Sequence, residues 1–275
     1  MTDGTIYLLE ELQRAAIDTS TLQVLPTGSA ETYYLLPTPG VRAIEVWTRL
    51  HELVSHTAYW PVLIGDDEYL DGWREHIGSL EFGTTKEILD RAVNIDPAQW
   101  FAQSHEEFVD EVLEFGGELY FPLADESLGS REEFRGIIRG PWPEQSSPNH
   151  GFLIPQDFVT NKPLQKVNVA LVPTRVSWHV PAYLRFGGWN ECPSPEVHVA
   201  LMRLWQERFG AEVVGITRDV VEMRVERPPT NKVDALRLAK QQYLYCQDIV
   251  DQGTQTLESL AAVLLGGTSW FFWWD

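Results

Sequence analysis

Glu212-Val213-Val214-Gly215-Ile216-Thr217-Arg218-Asp219-Val220-Val221-Glu222-Met223-Arg224-Val225-Glu226 is the stretch that decides the fold. Residues 212–217 read as a strand. Val221, Met223 and Val225 then alternate with Glu222, Arg224 and Glu226. Period-two alternation marks a second strand with one face buried and one wet. Thr217-Arg218-Asp219 is the turn that folds the pair into a hairpin. Upstream, Val197, Leu201, Leu204, Trp205 and Arg208 keep helical spacing. Ser194 stands at the cap position of that helix, Pro195 lies in its first turn, where a missing N–H costs nothing, and Gly210 stops it. Downstream, Pro228-Pro229 ends the sheet segment. Asn231 with Asp234 opens a second helix, with Ala235, Leu236, Ala239, Tyr243 and Cys246 near one face. A third helix, from about Thr256 to Leu265, ends at Gly266-Gly267. The closing Trp270-Phe271-Phe272-Trp273-Trp274-Asp275 is a strand. Aromatics on both its faces predict a central strand buried on both sides, or one face kept for a partner.

The first half is similar in kind. Ile6, Leu9, Leu12 and Ile17 suggest a helix, and Trp47, Leu50, Leu53 and Val54 another, followed by a strand at Trp60-Pro61-Val62-Leu63-Ile64. Helices near Lys86 to Ile95 and Glu106 to Phe115 come next, the second with Phe108, Val112 and Phe115 in register. Lys166 to Val172 and Ser177 to Phe186 read as strands. Gly140-Pro141-Trp142-Pro143-Glu144-Gln145-Ser146-Ser147-Pro148-Asn149 is a loop or linker by composition. The expected architecture is α+β, with two abutting lobes whose small, mainly antiparallel sheets have helices packed against them. Residues 1–150 form the acidic N-terminal lobe and residues 151–275 the C-terminal one.

Several strings of the second half are distinctive: Trp178-His179-Val180-Pro181-Ala182, Phe186-Gly187-Gly188-Trp189-Asn190-Glu191-Cys192-Pro193, Arg227-Pro228-Pro229-Thr230, Tyr245-Cys246-Gln247-Asp248-Ile249-Val250-Asp251-Gln252-Gly253 and the terminal aromatic run. Together they resemble the bacterial family catalogued as domain of unknown function 4253, over residues 178–275. The resemblance implies a fold-level identity and no established chemistry.

The net charge of −19 is unevenly spread. From Trp178 onward there are 9 Lys+Arg and 12 Asp+Glu, against 12 and 28 before it. Such a field repels nucleic acid and anionic membranes and favours a basic protein partner. No apolar stretch approaches the length of a membrane span. Met1-Thr2-Asp3-Gly4 lacks the basic start of a signal peptide, and two cysteines suit a reducing compartment, so the expected setting is cytoplasmic with free thiols.

Cys192 precedes a helix N-terminus, whose free N–H groups and dipole lower a thiol's pKa, and His198 follows six residues on. A Cys/His nucleophile pair is one reading, and a buried, inert thiol under Trp189 the other. Asp248 and Asp251 join the catalytic candidates as acid/base groups, although an acidic link between helices also serves as a cap. Trp189, Asn190, Asp219 and Gln252 are the binding candidates. His51 and His56 are five apart, the wrong spacing for zinc, and read as solvated. No phosphate loop, dinucleotide fingerprint or nucleophile elbow occurs, so no cofactor or metal is expected. The expected function is a non-enzymatic binding module, immunity- or inhibitor-like, for a basic partner. The alternative is a hydrolase or acyl transferase built on Cys192, His198 and Asp248.

Overall fold

A computed structural model describes residues 3–121, 125–157 and 159–275. Met1 and Thr2, half of the segment on which the leader expectation rests, lie outside the described residues. The first half holds α1 (Asp3–Arg14), β1 (Gln23–Leu25), β2 (Tyr33–Thr38), α2 (Ala43–Glu52), α3 (Val54–Thr57) and β3 (Trp60–Leu63). It continues with α4 (Leu70–Gly78), α5 (Thr85–Ala92) and α6 (Pro97–Glu114). A small hairpin follows, β4 (Gln156–Asp157) and β5 (Lys162–Pro163), and then β6 (Val167–Val172). The remainder is α7 (Val180–Leu184), α8 (Pro195–Phe209), β7 (Ala211–Ile216), β8 (Val220–Val225), α9 (Lys232–Tyr245), α10 (Leu257–Leu264) and β9 (Ser269–Trp273).

The α+β class and the mainly antiparallel pairing are as expected. The sheet, however, is one seven-stranded sheet in the order β1-β2-β6-β3-β7-β8-β9, in place of a small sheet in each half. Strands from both sides of residue 150 interleave in it. Its one parallel pairing joins β3 to β7 through Leu63 and Gly215. Glycine allows the close approach: a Cβ at Gly215 would sit 3.1 Å from the carbonyl oxygen of Leu63.

The hairpin of β7 and β8 forms about the 217–219 turn. Gly210 ends α8 in the left-handed conformation, and the Asn231 side chain caps α9 through the Asp234 N–H. Ser194 holds the cap position of α8 without a side-chain hydrogen bond. One face of the hairpin carries Met223 in register with Val213 and Trp270; β7 packs on α8, and Tyr245 of α9 meets Phe272 of β9. Trp205 stacks on Phe272 at 5.6 Å and meets Trp270 and Tyr245 edge-on.

Several expectations fail for identifiable reasons. Ser177 to Phe186 is helical, not a strand: a 3-10 turn at Ser177–His179 runs into α7 with Pro181 in its first turn, and left-handed Arg185 ends it. Glu222 is buried rather than wet, because the 153–154 segment crosses that face and donates the Leu153 and Ile154 N–H groups to its carboxylate. The terminal run, β9, is an edge strand, not a central one. Trp270, Phe272 and Trp274 are buried, while Phe271 and Trp273 are half-buried. Ile6 and Phe115 point to solvent, since Leu8 and Leu12 form the buried stripe of α1 and Phe108 and Val109 that of α6. His51 is not solvated: it stacks on Trp47 and lies 3.3 Å from the Glu212 carboxylate, beside Arg224. No described helix is long and apolar enough to cross a membrane.

Candidate functional site

The Phe186–Pro193 loop is built on backbone that only glycine adopts freely. Gly187 and Gly188 have φ of 109° and 85°. A Cβ on Gly187 would lie 2.0 Å from the Pro193 carbonyl oxygen, and one on Gly188 would meet the Phe82 ring at 2.5 Å. The Gly188 N–H donates back to the carbonyls of Cys192 and Pro193, closing a tight turn. Asn190, at φ 46°, takes the left-handed region that asparagine tolerates best after glycine. The turn leaves Trp189 half-buried and Cys192 buried, with the Cys192 N–H donating to the Trp189 carbonyl.

Cys192 and His198 meet as the spacing suggested, with Sγ 3.5 Å from Nε2. The other ring nitrogen of His198 bonds the Tyr245 hydroxyl. All three are buried; Cys192 is 4% exposed and His198 not at all. Burial drives the Cys192 thiol pKa up, aided by Cys246, and drives His198 down to about 3. The expected lowering of the thiol by the helix terminus is therefore overturned: desolvation of the thiolate outweighs the dipole. Cys246 is pushed up to about 12 by burial, and its Sγ–H donates to the Trp273 carbonyl. Both cysteines are free.

The other candidates separate. Asp248 accepts from Gln252 Nε2 at 2.8 Å and from the Asp275 N–H at 2.9 Å, while Asn190 Nδ2 donates to the Asp275 carbonyl. Asn190, Asp248 and Gln252 thus meet at the surface around the last residue. Asp251 turns away, accepting from Tyr243 Oη at 3.0 Å, and burial raises its carboxyl. Neither aspartate caps α10; Thr256 does so through the Ser259 N–H, and a π-helical turn, Ile249–Thr254, takes up the link. Asp219 uses its backbone carbonyl to hold the Trp274 N–H. The described residues include no group of three His, Cys, Asp or Glu side chains placed to hold a metal.

Two openings reach the surface near these residues. The first is a cleft of about 600 Å³ between α4 and the Phe186–Pro193 loop, lined by Tyr69, Trp73, His76, Phe186, Trp189, Asn190, Glu68 and Arg218. Sequence reading found Trp189 and Asn190 and missed the α4 side. The missed signal was Tyr69, Trp73 and His76 at i, i+4 and i+7, one stripe of a helical face. The second is a groove of about 370 Å³ where α6 and α9 meet. Phe108, Val112, Phe115, Ile138 and Tyr243 line it, with Glu111, Glu118 and Asp251 among them.

Neither the curated proteins nor the solved structures include a match to this chain. One family model does match: residues 168–275, from the second residue of β6 to Asp275, match the domain of unknown function catalogued as DUF4253.

Proposed function

We propose that this protein is a non-enzymatic binding module, immunity- or inhibitor-like, whose groove between α6 and α9 receives a basic, amphipathic segment of a protein partner. The observation that carries the reading is the groove's composition. Its lining combines apolar side chains, including Phe115 at 79% exposed, with three carboxylates and no Lys or Arg. Residues 97–118 add to this, with six acidic side chains and no Lys or Arg. Large exposed aromatics rimmed by like charge mark interaction surfaces, and an acidic field speeds encounter with a basic partner.

The enzymatic alternative has weaker support. A thiol nucleophile acts as thiolate and must reach substrate. Cys192 is buried with its pKa raised, and its imidazole neighbour is uncharged near neutrality, so it gives a thiolate no ion-pair partner.

A synthetic Leu/Lys amphipathic helix is the probe for the groove, with association followed on the immobilised protein at low and high salt. The on-rate should fall steeply with salt, and Phe115→Ser and Glu111→Gln/Glu118→Gln variants should each bind about tenfold more weakly. A salt-independent on-rate, or binding unaffected by these variants, would remove the proposal.

A further inference from the structure

The cleft between α4 and the Phe186–Pro193 loop is separate chemistry, and it stands independently of the groove. Its aromatic lining is a set of rings set nearly square to one another. Phe186 and Trp189 cross at 89°, His76 and Trp189 at 77°, and Trp73 and His76 at 78°, with centroids 5.0, 6.0 and 6.3 Å apart. These rings touch one another edge to face, so together they form one wall that turns a mixture of π faces and edges toward the cleft. A flat ligand is better served by parallel walls, and a rounded cationic group by crossed ones.

The charges around the cleft point the same way. Asp219, Asp66 and Glu68 all act on the Tyr69 hydroxyl and raise its pKa along with burial, opposed by Arg218 alone. Among the described residues, the Glu68 carboxylate and the Arg218 guanidinium make no ion pair or hydrogen bond. The lining itself carries one carboxylate, Glu68, and one guanidinium, Arg218, and Asp66 and Asp219 lie close enough to Tyr69 to tip the balance at the mouth toward negative. His76, inside the cleft, adds no positive charge of its own: burial lowers its pKa, and Nε2 is held by the Arg185 carbonyl. At about 600 Å³ the space has the size of an ordinary small-molecule site.

We infer that this cleft binds a small organic cation of the alkylated ammonium class, its head against Trp189 and Tyr69 and its charge balanced by Glu68. Arg218 opposes the ligand from the turn between β7 and β8 and so sets how weakly the site holds it. The site joins the two parts of the chain. The family-matched part supplies Phe186, Trp189, Asn190 and Arg218, and the preceding part supplies Glu68, Tyr69, Trp73 and His76.

Choline and its neutral isostere 3,3-dimethylbutan-1-ol share a shape and differ in charge. Titration of the full chain with each, and with benzoate, by calorimetry and by tryptophan fluorescence, tests the assignment. Choline should bind about tenfold or more tightly than the isostere, and benzoate should not bind. Trp189→Leu should weaken choline about tenfold, and Glu68→Gln about threefold. Arg218→Gln should tighten it about threefold, a gain that general damage to the fold does not produce. Glu68 and Arg218 are exposed, so their variants test the site even where Trp189→Leu fails to fold. Equal binding of the isostere, tighter binding of benzoate lost in Arg218→Gln, or no choline heat at millimolar concentration would overturn the inference.

Discussion

Two fields act on the Cys192 thiol, and they oppose each other. A helix terminus beside it favours the thiolate, and the loss of water around it favours the thiol. Desolvation wins because the thiolate would be enclosed, with an uncharged imidazole beside it. Both thiols should therefore label slowly with iodoacetamide at neutral pH in the native protein and at ordinary rates in urea. Mass spectrometry of the quenched reaction reads this directly, and fast native labelling would contradict the burial. Glu222 and His198 supply a pair of opposing titrations. His198 falls from an ordinary 6.5 to about 3, so between those values the unfolded chain binds the extra proton, and stability drops as pH falls. Glu222 rises from 4.5 to about 7, so there the folded chain holds the extra proton, and stability drops as pH rises. The two slopes offset each other between pH 4.5 and 6.5. Glu222→Gln removes one of them. Urea denaturation of that variant across this range should show a steeper loss of stability on acidification than in the native chain, by up to about 1.4 kcal/mol per pH unit.

At the scale of elements, the join between the linker and α10 contains a buried ion pair beside the Leu257 N–H to Ile138 carbonyl bond. Arg139 Nε lies 2.6 Å from Glu258 Oε1, both side chains almost wholly enclosed, and the Gly140 N–H donates to the other carboxylate oxygen. The guanidinium also lies 4.2 Å from the centre of the Phe134 ring. Arg139→Met should cost about 3–5 kcal/mol in chemical denaturation, because it strands a buried carboxylate. Replacing both partners with apolar residues should recover much of that loss. Local pattern revealed such elements unevenly. The β7–β8 hairpin, α8 with its Gly210 stop and the Asn231 cap were legible, since each rests on periodicity or a terminating residue within a few positions. The buried face of Glu222 was not legible, because the segment that covers it lies some 70 residues away in sequence. Ser177 to Phe186 misled because its apolar run lacks helical length, and only Pro181 hinted at a helical first turn. Of the candidate site, the Cys192–His198 contact and the loop bearing Trp189 were readable. The Tyr69, Trp73 and His76 stripe belongs to another part of the chain, and nothing local says which loop it will face.

For the whole molecule, the interleaved strand order is the controlling fact. β6 lies between β2 and β3, and β7 takes β3 as its neighbour. The family-matched stretch begins at Asn168, inside β6, and carries only β6 to β9 of the main sheet. Expressed alone, residues 168–275 would expose both long edges of β6 and the open side of β7. That fragment should be aggregated or partly folded by circular dichroism and gel filtration, whereas the full chain is folded. A monomeric, cooperatively melting fragment would show that the first half only decorates an independent domain.

The same strand order sets a clock on synthesis. Thr38 of β2 pairs with Val167 of β6, which the ribosome adds 129 residues later. At about 5–20 residues per second, that is a wait of roughly 6 to 26 seconds. During it, Tyr33-Tyr34-Leu35-Leu36, buried in the finished sheet, has no native neighbour on that side. Folding must begin elsewhere and close around these strands late, which makes the nascent N-terminal half the natural client for a holding chaperone and the point where slowed translation would be felt first.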